Sequence, residues 1–374
     1  MNKTLIAMAV AGLMAAPMAA QADATVYGKI HVSIDVGDTG LDNDSGANKA
    51  SGMFWQSNSG RVGVKGSEDL GGGLSAIWQF ESNASFGSGS TAFGGRNSYV
   101  GLKGGWGEVR GGKHDTPFKG TGRRFDLFGD QVGDSRNLIQ RVGASVGGSS
   151  YPNLGGGESW DNRPDNVVAY MTPTFGGGFK IFAAYVMDDA TEDSTGLSLE
   201  ASWKTGNWLA ALAYETHDQD SAGGPGTTSS SSGIRAGLQW TPGAWKLNAF
   251  YQTLTDSDGI SGLDGDAYGL GAGYKMGKNV LKAQYFATSN DFVGFTTDVD
   301  ATMVAVGWDY NMSKRTTAYI AYALTSNDSN VYYCADAVGH GLKFAVRQSK
   351  SRLLKRKPVI RPSSASAWST SSKS

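Results

Sequence analysis

From Thr25 to Asp35 apolar and polar residues alternate one by one. Val26, Gly28, Ile30, Val32 and Ile34 fall on one face, and Tyr27, Lys29, His31, Ser33 and Asp35 on the other. A period of two is the signature of a β-strand with two unlike faces. The pattern returns where Val62 and Val64 interleave with Arg61 and Lys65. It returns again where Leu74, Ala76, Trp78 and Phe80 alternate with Ser75, Gln79 and Glu81. Further runs near 97–103, 106–113, 166–172, 179–187, 197–204, 207–215, 233–241, 244–253, 267–275, 279–287, 301–310 and 315–324 bring the expected strands to fifteen.

Short turns and long loops alternate between these runs. The turns at 204–207, 241–244 and 276–278 are tight, whereas 217–232 and 289–300 are long and polar. An open sheet in hydrocarbon leaves backbone groups unpaired, so a β-chain in a membrane must close on itself. Strands of about ten residues, apolar outside and polar inside, with short turns at one end and long loops at the other, describe a transmembrane β-barrel. Trp106, Trp208, Trp240, Trp245 and Tyr274 lie near strand ends, as interfacial aromatics do. A soluble β-sandwich predicts a solid apolar core and leaves the enclosed polar faces unexplained. A barrel of fifteen or sixteen strands is too wide for side chains to fill, so its interior holds water.

Composition agrees: Gly is abundant at 54 residues, Pro is scarce at 9, and helix signals are nearly absent. The chain opens with Lys3, an apolar run from Leu5 to Ala20 and the small-x-small sequence at 20–22. Residues 1–22 therefore read as a secretory signal peptide, with export through the periplasm. The single cysteine, Cys334, excludes an internal disulfide. The formal net charge of −1 conceals an asymmetry. Nine Lys or Arg and no acid lie between Ala337 and Ser374; without them and Lys3, 23 basic residues face 34 acidic ones. A basic tail on an acidic exported body does not suggest nucleic-acid binding.

Catalytic and metal chemistry find little support. The four histidines, His31, His114, His217 and His340, are scattered over different strands and loops. No triad, metal cluster or cofactor follows from them. The acidic stretches at 42–46 and 255–269 resemble calcium loops but lack the closing bidentate Glu. The glycines at 269, 271 and 273 lack a strand–turn–helix context, so they read as strand glycines rather than a nucleotide loop.

Four stretches resemble the Gram-negative general porins, the trimeric family of neisserial and related outer membranes. They are "ATVYGKIHVSID" (24–35), "SGRVGVKGSEDLGGGLSAIWQFE" (59–81), "GRNSYVGLKGGWGEVRGGKHDTP" (95–117) and "NRPDNVVAYMTPTFGGGFKIFAAY" (162–185). With weaker strand similarity the resemblance runs from about Ala24 to Asp336. It implies an all-β fold, a 16-stranded antiparallel transmembrane β-barrel in outer-membrane lipid. It also implies a homotrimer, and passive diffusion of ions and small hydrophilic solutes. The resemblance further implies a third loop, here Asp115 to about Tyr151, folded into the barrel to narrow it. Acids on that loop, Asp126, Asp130 and Asp134, would oppose a basic wall of Arg61, Arg96, Arg110 and Arg163 with Lys29 and Lys65. Opposed charges across a narrow pore set up a transverse field and bias ion passage. Simple alternation puts Arg96 on the face of Ser98 and Val100, so it needs a break in register to point inward. The alternative from another class is an outer-membrane barrel enzyme or a surface-binding barrel. The enzyme needs a Ser or Asp site with His at the rim, and no such set stands out.

The barrel is expected to span residues 23–344, with strand sixteen pairing with strand one and ending on an aromatic. Instead the alternation dissolves after 331–341, and 345–374 is a basic, Ser-rich tail. A frameshift would explain it. With permitted synonymous codons, reading the end of the gene two bases later yields an alternating segment closing on Val-His-Lys-Phe. In the rival reading 339–344 is a stub of strand sixteen and the remainder a disordered extension.

Overall fold

A computed structural model describes residues 23–37, 52–87, 94–140, 142, 159–187, 194–219, 230–259, 261–291, 300–328 and 347–348. The expected signal peptide, the acidic stretch at 42–46, loop residues 143–158, Cys334, His340 and the expected stub at 339–344 lie outside them.

The expected runs all form strands. The first crossing is β1, Asp23–Lys29, continued by β2, Val32–Gly37; the second is β3, Gly52–Ser57, continued by β4, Arg61–Gly71. Then follow β5 Leu74–Asn83, β6 Ser98–Gly104, β7 Gly107–Lys113, β8 Val167–Met171, β9 Phe179–Val186 and β10 Ser194–Thr205. The series continues with β11 Trp208–Gln219, β12 Ser230–Trp240, β13 Trp245–Thr255, β14 Asp264–Met276, β15 Asn279–Asp291, β16 Ala301–Asn311 and β17 Thr317–Asn327. Each pairs antiparallel with its neighbour, β1 with β4 and onward in chain order to β17, while β2–β3 extends the first hairpin. Among the described residues no helix is long and apolar enough to cross a membrane. The crossing is done by strands.

Register fixes the two faces. Lys29 lies opposite Arg61, Arg61 opposite Asn83, and Lys65 opposite Gln79, so these polar side chains share the inner face. Val26, Ile30, Val62, Val100, Leu212, Leu238, Leu270 and Ile320 point outward and are exposed, as apolar side chains facing lipid must be. The aromatics gather at the short-turn end. Trp208 stacks on Trp240 at 5.3 Å, Trp245 meets Tyr274 at 4.6 Å, and Trp106 stacks on Tyr170 at 6.3 Å.

At the far edge the described residues hold no antiparallel strand that closes the sheet on β1. Among the described residues β1 has no ladder partner beyond β4. β17 instead carries β18, Arg347–Gln348, in a parallel pairing of Ser326 with Arg347 and Asn327 with Gln348. That segment lies in the stretch without alternation, so neither face of a longer strand is specified there. The inner side chains of the first and last long strands meet nonetheless. His31 Nε2 lies 3.0 Å from the Tyr319 hydroxyl, and Asn58 Nδ2 donates to that hydroxyl at 3.2 Å.

The stretch after β7 was expected to be free of strands, and its described residues hold two short helices instead. These are α1, Pro117–Arg124, and α2, Arg136–Ile139. The Thr116 side chain caps α1 by accepting from Lys119 N at 3.2 Å, and Pro117 starts the helix. Threonine at the cap with proline just inside is a helix-start signal legible in "HDTPFKG".

Candidate functional site: a loop folded across the channel

The segment between β7 and β8 packs on the inner face of β10 to β17. Phe118, Phe125, Phe128, Leu138 and Ile139 on the loop are almost fully buried. The wall meets them with small residues. A methyl added to Gly237 would overlap the Phe125 ring, one on Gly233 would come within 3.0 Å of Phe118 and Trp160, and one on Gly307 within 2.8 Å of Phe128. Gly271 similarly clears space for Leu127, and from the loop side Gly133 makes room for Ala305. The strand glycines at 269 to 273 thus include two, Gly269 and Gly271, cleared for Phe286 and Leu127. Burying each loop aromatic contributes about 1.5–3 kcal/mol, so the loop is an internal layer of the fold.

A loop outside the ladder needs other partners for its backbone, and wall side chains supply them. The Ser198 hydroxyl accepts from Phe118 N at 3.1 Å, and Asn248 donates to Phe125 O at 2.9 Å. Gln284 accepts from Leu127 N at 2.9 Å and donates to Gly133 O at 2.7 Å. Lys282 reaches Leu127 O at 3.1 Å and pairs with Asp309 at 3.0 Å. Glu200 accepts from Thr121 at 2.7 Å and from Arg124 at 2.8 Å.

The three loop acids have different fates. Asp130 faces the first strand: its Oδ2 lies 2.9 Å from Lys29 Nζ and 3.6 Å from Arg123, and its Oδ1 lies 2.9 Å from Arg136. Burial would raise its pKa, but Arg123, Lys29 and Arg136 outweigh that and hold the carboxyl well below the usual range. Asp134 is fully buried and turned into the loop. It accepts from Asp130 N at 2.7 Å and from Arg136 N at 2.9 Å, and it pairs with the Arg136 guanidinium. Asp126 likewise points inward, accepting from Phe128 N at 2.7 Å and Ser135 N at 3.0 Å. Burial and the neighbouring Asp134 push its pKa up to about 7. Of the three acids, Asp130 faces Lys29 across the channel, whereas Asp126 and Asp134 staple the loop's own turns.

The basic wall divides as well. Arg96 lies just before β6, outside the strand register, and its Nε meets Glu81 at 2.5 Å on the inner face. Glu81 also accepts from the Tyr27 hydroxyl at 2.9 Å. Arg110 pairs with Glu108, lies over the Tyr99 ring at 4.4 Å and reaches His114 Nε2 at 2.6 Å. Arg163, on the return limb of the loop, meets Asp115 at 2.9 Å and donates to Asn97 at 2.7 Å. Asp115 also holds Lys119 at 2.8 Å. Burial would raise the Asp115 carboxyl, but Lys119 and Arg163 outweigh it and hold it far below its ordinary value. Lys65 sits over the Tyr27 ring at 5.4 Å, and neither it nor Arg61 pairs with a carboxylate among the described residues. Sequence reasoning missed Asp115, Lys119 and Arg123, although all three lie within or beside the capped helix that "HDTPFKG" announces.

A sheet of membrane-length strands, apolar outside and polar inside, with a charged loop folded across its inner face, defines an outer-membrane channel. The profile of the Gram-negative porin family matches residues 7–330, and the chain belongs to that family. It is 28% identical over 340 residues to Outer membrane porin protein 32 of Delftia acidovorans, covering 87% of this chain and 90% of that one. It is 26% identical over 362 residues to Major outer membrane protein P.IB of Neisseria meningitidis serogroup B, covering 92% and 99%. A match to P.IB of Neisseria gonorrhoeae is 41% identical but spans 34% of this chain and 36% of the relative. The anion-selective porin from Comamonas acidovorans has the same fold, with a TM-score of 0.69 at 23% identity over 88% of this chain and 96% of that one. The protein is an integral β-barrel of the bacterial outer membrane, and its family forms channels for passive diffusion of solutes.

Proposed function

We propose that the channel is narrowed by this loop and prefers anions. The observation that carries the reading is the imbalance at the constriction. Four acids there, Glu81, Glu108, Asp115 and Asp130, already have a basic partner, and Asp115 and Asp130 have more than one. Arg61 and Lys65 have no acidic partner among the described residues, so their charge acts on the solution in the pore. Fixed charge in a narrow, low-dielectric passage concentrates the opposite ion. The acidic excess of the whole body does not decide the matter, because charge beyond about 8–10 Å is screened at physiological salt. The Comamonas porin of the same fold is described as anion-selective, in keeping with this reading.

The constriction roles follow. Arg61 and Lys65 supply the field, Arg96, Arg110 and Arg163 are steadied by Glu81, Glu108 and Asp115, and Lys29 joins Asp130 at the loop tip. Small hydrophilic solutes pass by orienting in this field, and no catalytic step is required. The described histidines have separate partners: His31 with Tyr319, His114 with Arg110 and the Asp115 carbonyl, and His217 with Glu215. We also infer a homotrimer; OmpT of Vibrio cholerae, which shares the fold at 17% identity and a TM-score of 0.60, is known in a trimer form. The test is the reversal potential of the reconstituted chain across a potassium chloride gradient. A potential of the anion-selective sign supports the reading; a zero or cation-selective value overturns it.

A further inference from the structure

Arg235 lies at the middle of β12, in register with Ala213 on one side and Gln252 on the other, with its side chain turned to the inner face. It is wholly shielded from water. A guanidinium out of water is tolerated only when its charge and donors are matched, and here the matching comes mostly from the loop. Nη1 donates to Phe118 O at 3.1 Å and to Asp161 Oδ1 at 2.7 Å, Nη2 donates to Ile139 O at 3.2 Å, and Nε donates to Gln252 Oε1 at 2.6 Å. The Phe118 ring lies 4.2 Å from the guanidinium carbon. Gln252 returns to Ile139 O at 2.9 Å.

These loop contacts are far apart in the chain. Phe118 is in the first turn of α1, Ile139 ends α2, and Asp161 is on the limb returning to β8. One side chain therefore joins the outgoing limb, the far end and the returning limb to a single point on the wall. The approach is close: a methyl on Gly122 would come within 2.8 Å of Nη1. A planar fork with five donors can serve three separated acceptors at once, whereas an ammonium cannot do so from the same place.

We propose that Arg235 is the positioning residue that pins the loop and so sets the cross-section of the pore. This rests on the reading of the loop as the constriction, but not on the sign of the ion preference. Losing Arg235 would take from the buried Asp161 carboxylate its hydrogen-bonded cation at 2.7 Å and leave it only the longer pairing with Arg136 at 3.9 Å. It would also strip two loop carbonyls of a donor. The barrel wall needs none of these bonds for its own ladder.

The experiment reconstitutes full-length Arg235→Met and Arg235→Lys beside the wild type in planar bilayers. It reads single-channel conductance, current noise and the size of polyethylene glycol that still enters. Trypsin cleavage in the loop, at Arg123 and Arg124, gives a readout independent of current. For Arg235→Met the expected result is an assembled barrel with higher and noisier conductance, entry of larger polymers, and new cleavage in the loop. Arg235→Lys should fall between. An assembled Arg235→Met with wild-type conductance, polymer cut-off and protease resistance overturns the proposal. If the Met variant fails to assemble, Asp161→Asn decides, because it loosens the same clamp from the loop side. Wild-type behaviour of that variant overturns the proposal equally. A wild-type chain that passes no current would sink the pore reading first, and this proposal with it.

Discussion

Lys29 Nζ lies 2.9 Å from Asp130 Oδ2, joining the first strand to the tip of a loop that starts after the fifth crossing. With Arg123 and Arg136 also facing it, the Asp130 carboxyl is held well below its usual range. The sign of its pH dependence follows. A depressed carboxyl contributes stability that is present above its unfolded pKa, about 4, and is lost as pH falls through the folded value. Lowering the pH well below 4 should therefore loosen the loop tip. Asp130→Asn should reproduce at neutral pH what acid does to the wild type, seen as increased current noise. Quiet channels in the Asn variant would remove Asp130 from this role.

Arg61 and Lys65 carry the uncompensated charge of the wall. Arg61→Glu with Lys65→Glu should move the reversal potential toward cation preference while leaving conductance of the same order. Reversing the buried Arg96 should instead harm assembly, because it would leave Glu81 without its cation. Equal effects of the exposed and buried reversals on ion preference would contradict the division of the wall.

Gly237 has no room for a side chain, because the Phe125 ring fills that space. Gly237→Val should destabilise the docked loop by about 1–3 kcal/mol, the usual range for overpacking. Gly111→Ala is the contrast, since nothing lies within 4 Å of a methyl added there. Thermal release of the loop, followed by protease cleavage, should come earlier for Gly237→Val and stay unchanged for Gly111→Ala.

Asp126 gives a pH response of opposite sign. Burial and Asp134 push its carboxyl up to about 7, so the folded loop favours the neutral acid. A raised pKa means stability that is full below about 4 and is lost as pH rises through the folded value. Loop noise should grow between about pH 6 and 8 in the wild type, around the value of about 7. Asp126→Asn should abolish that step. A step of the same size in the Asn variant would assign it to another group.

The strands were legible because their information is local. Val62 and Val64 between Arg61 and Lys65 assign faces without reference to any other part of the chain, since successive side chains of a strand must point to opposite sides. The loop's position after β7 was legible too, as the longest stretch without alternation. The need for a register break at Arg96 was visible, and Arg96 does lie outside the strand.

Inside the loop the sequence stops deciding. Asp126, Asp130 and Asp134 have the same chemistry and near-equal spacing, yet one faces Lys29 and two bind the loop's own amides. Arg235 stands out in sequence only as an inner-phase residue beside Ile234; its importance comes from three loop segments that converge on it. The period-two pattern, set by backbone geometry, determined the strands and their faces, and four motif-rich stretches carried the resemblance to the family. Which charges are paired, which are free, and which glycines make room were decided by contacts between distant residues, some of them more than 150 positions apart in the chain. Such contacts form only when the loop and the wall close on each other, and no local pattern records that.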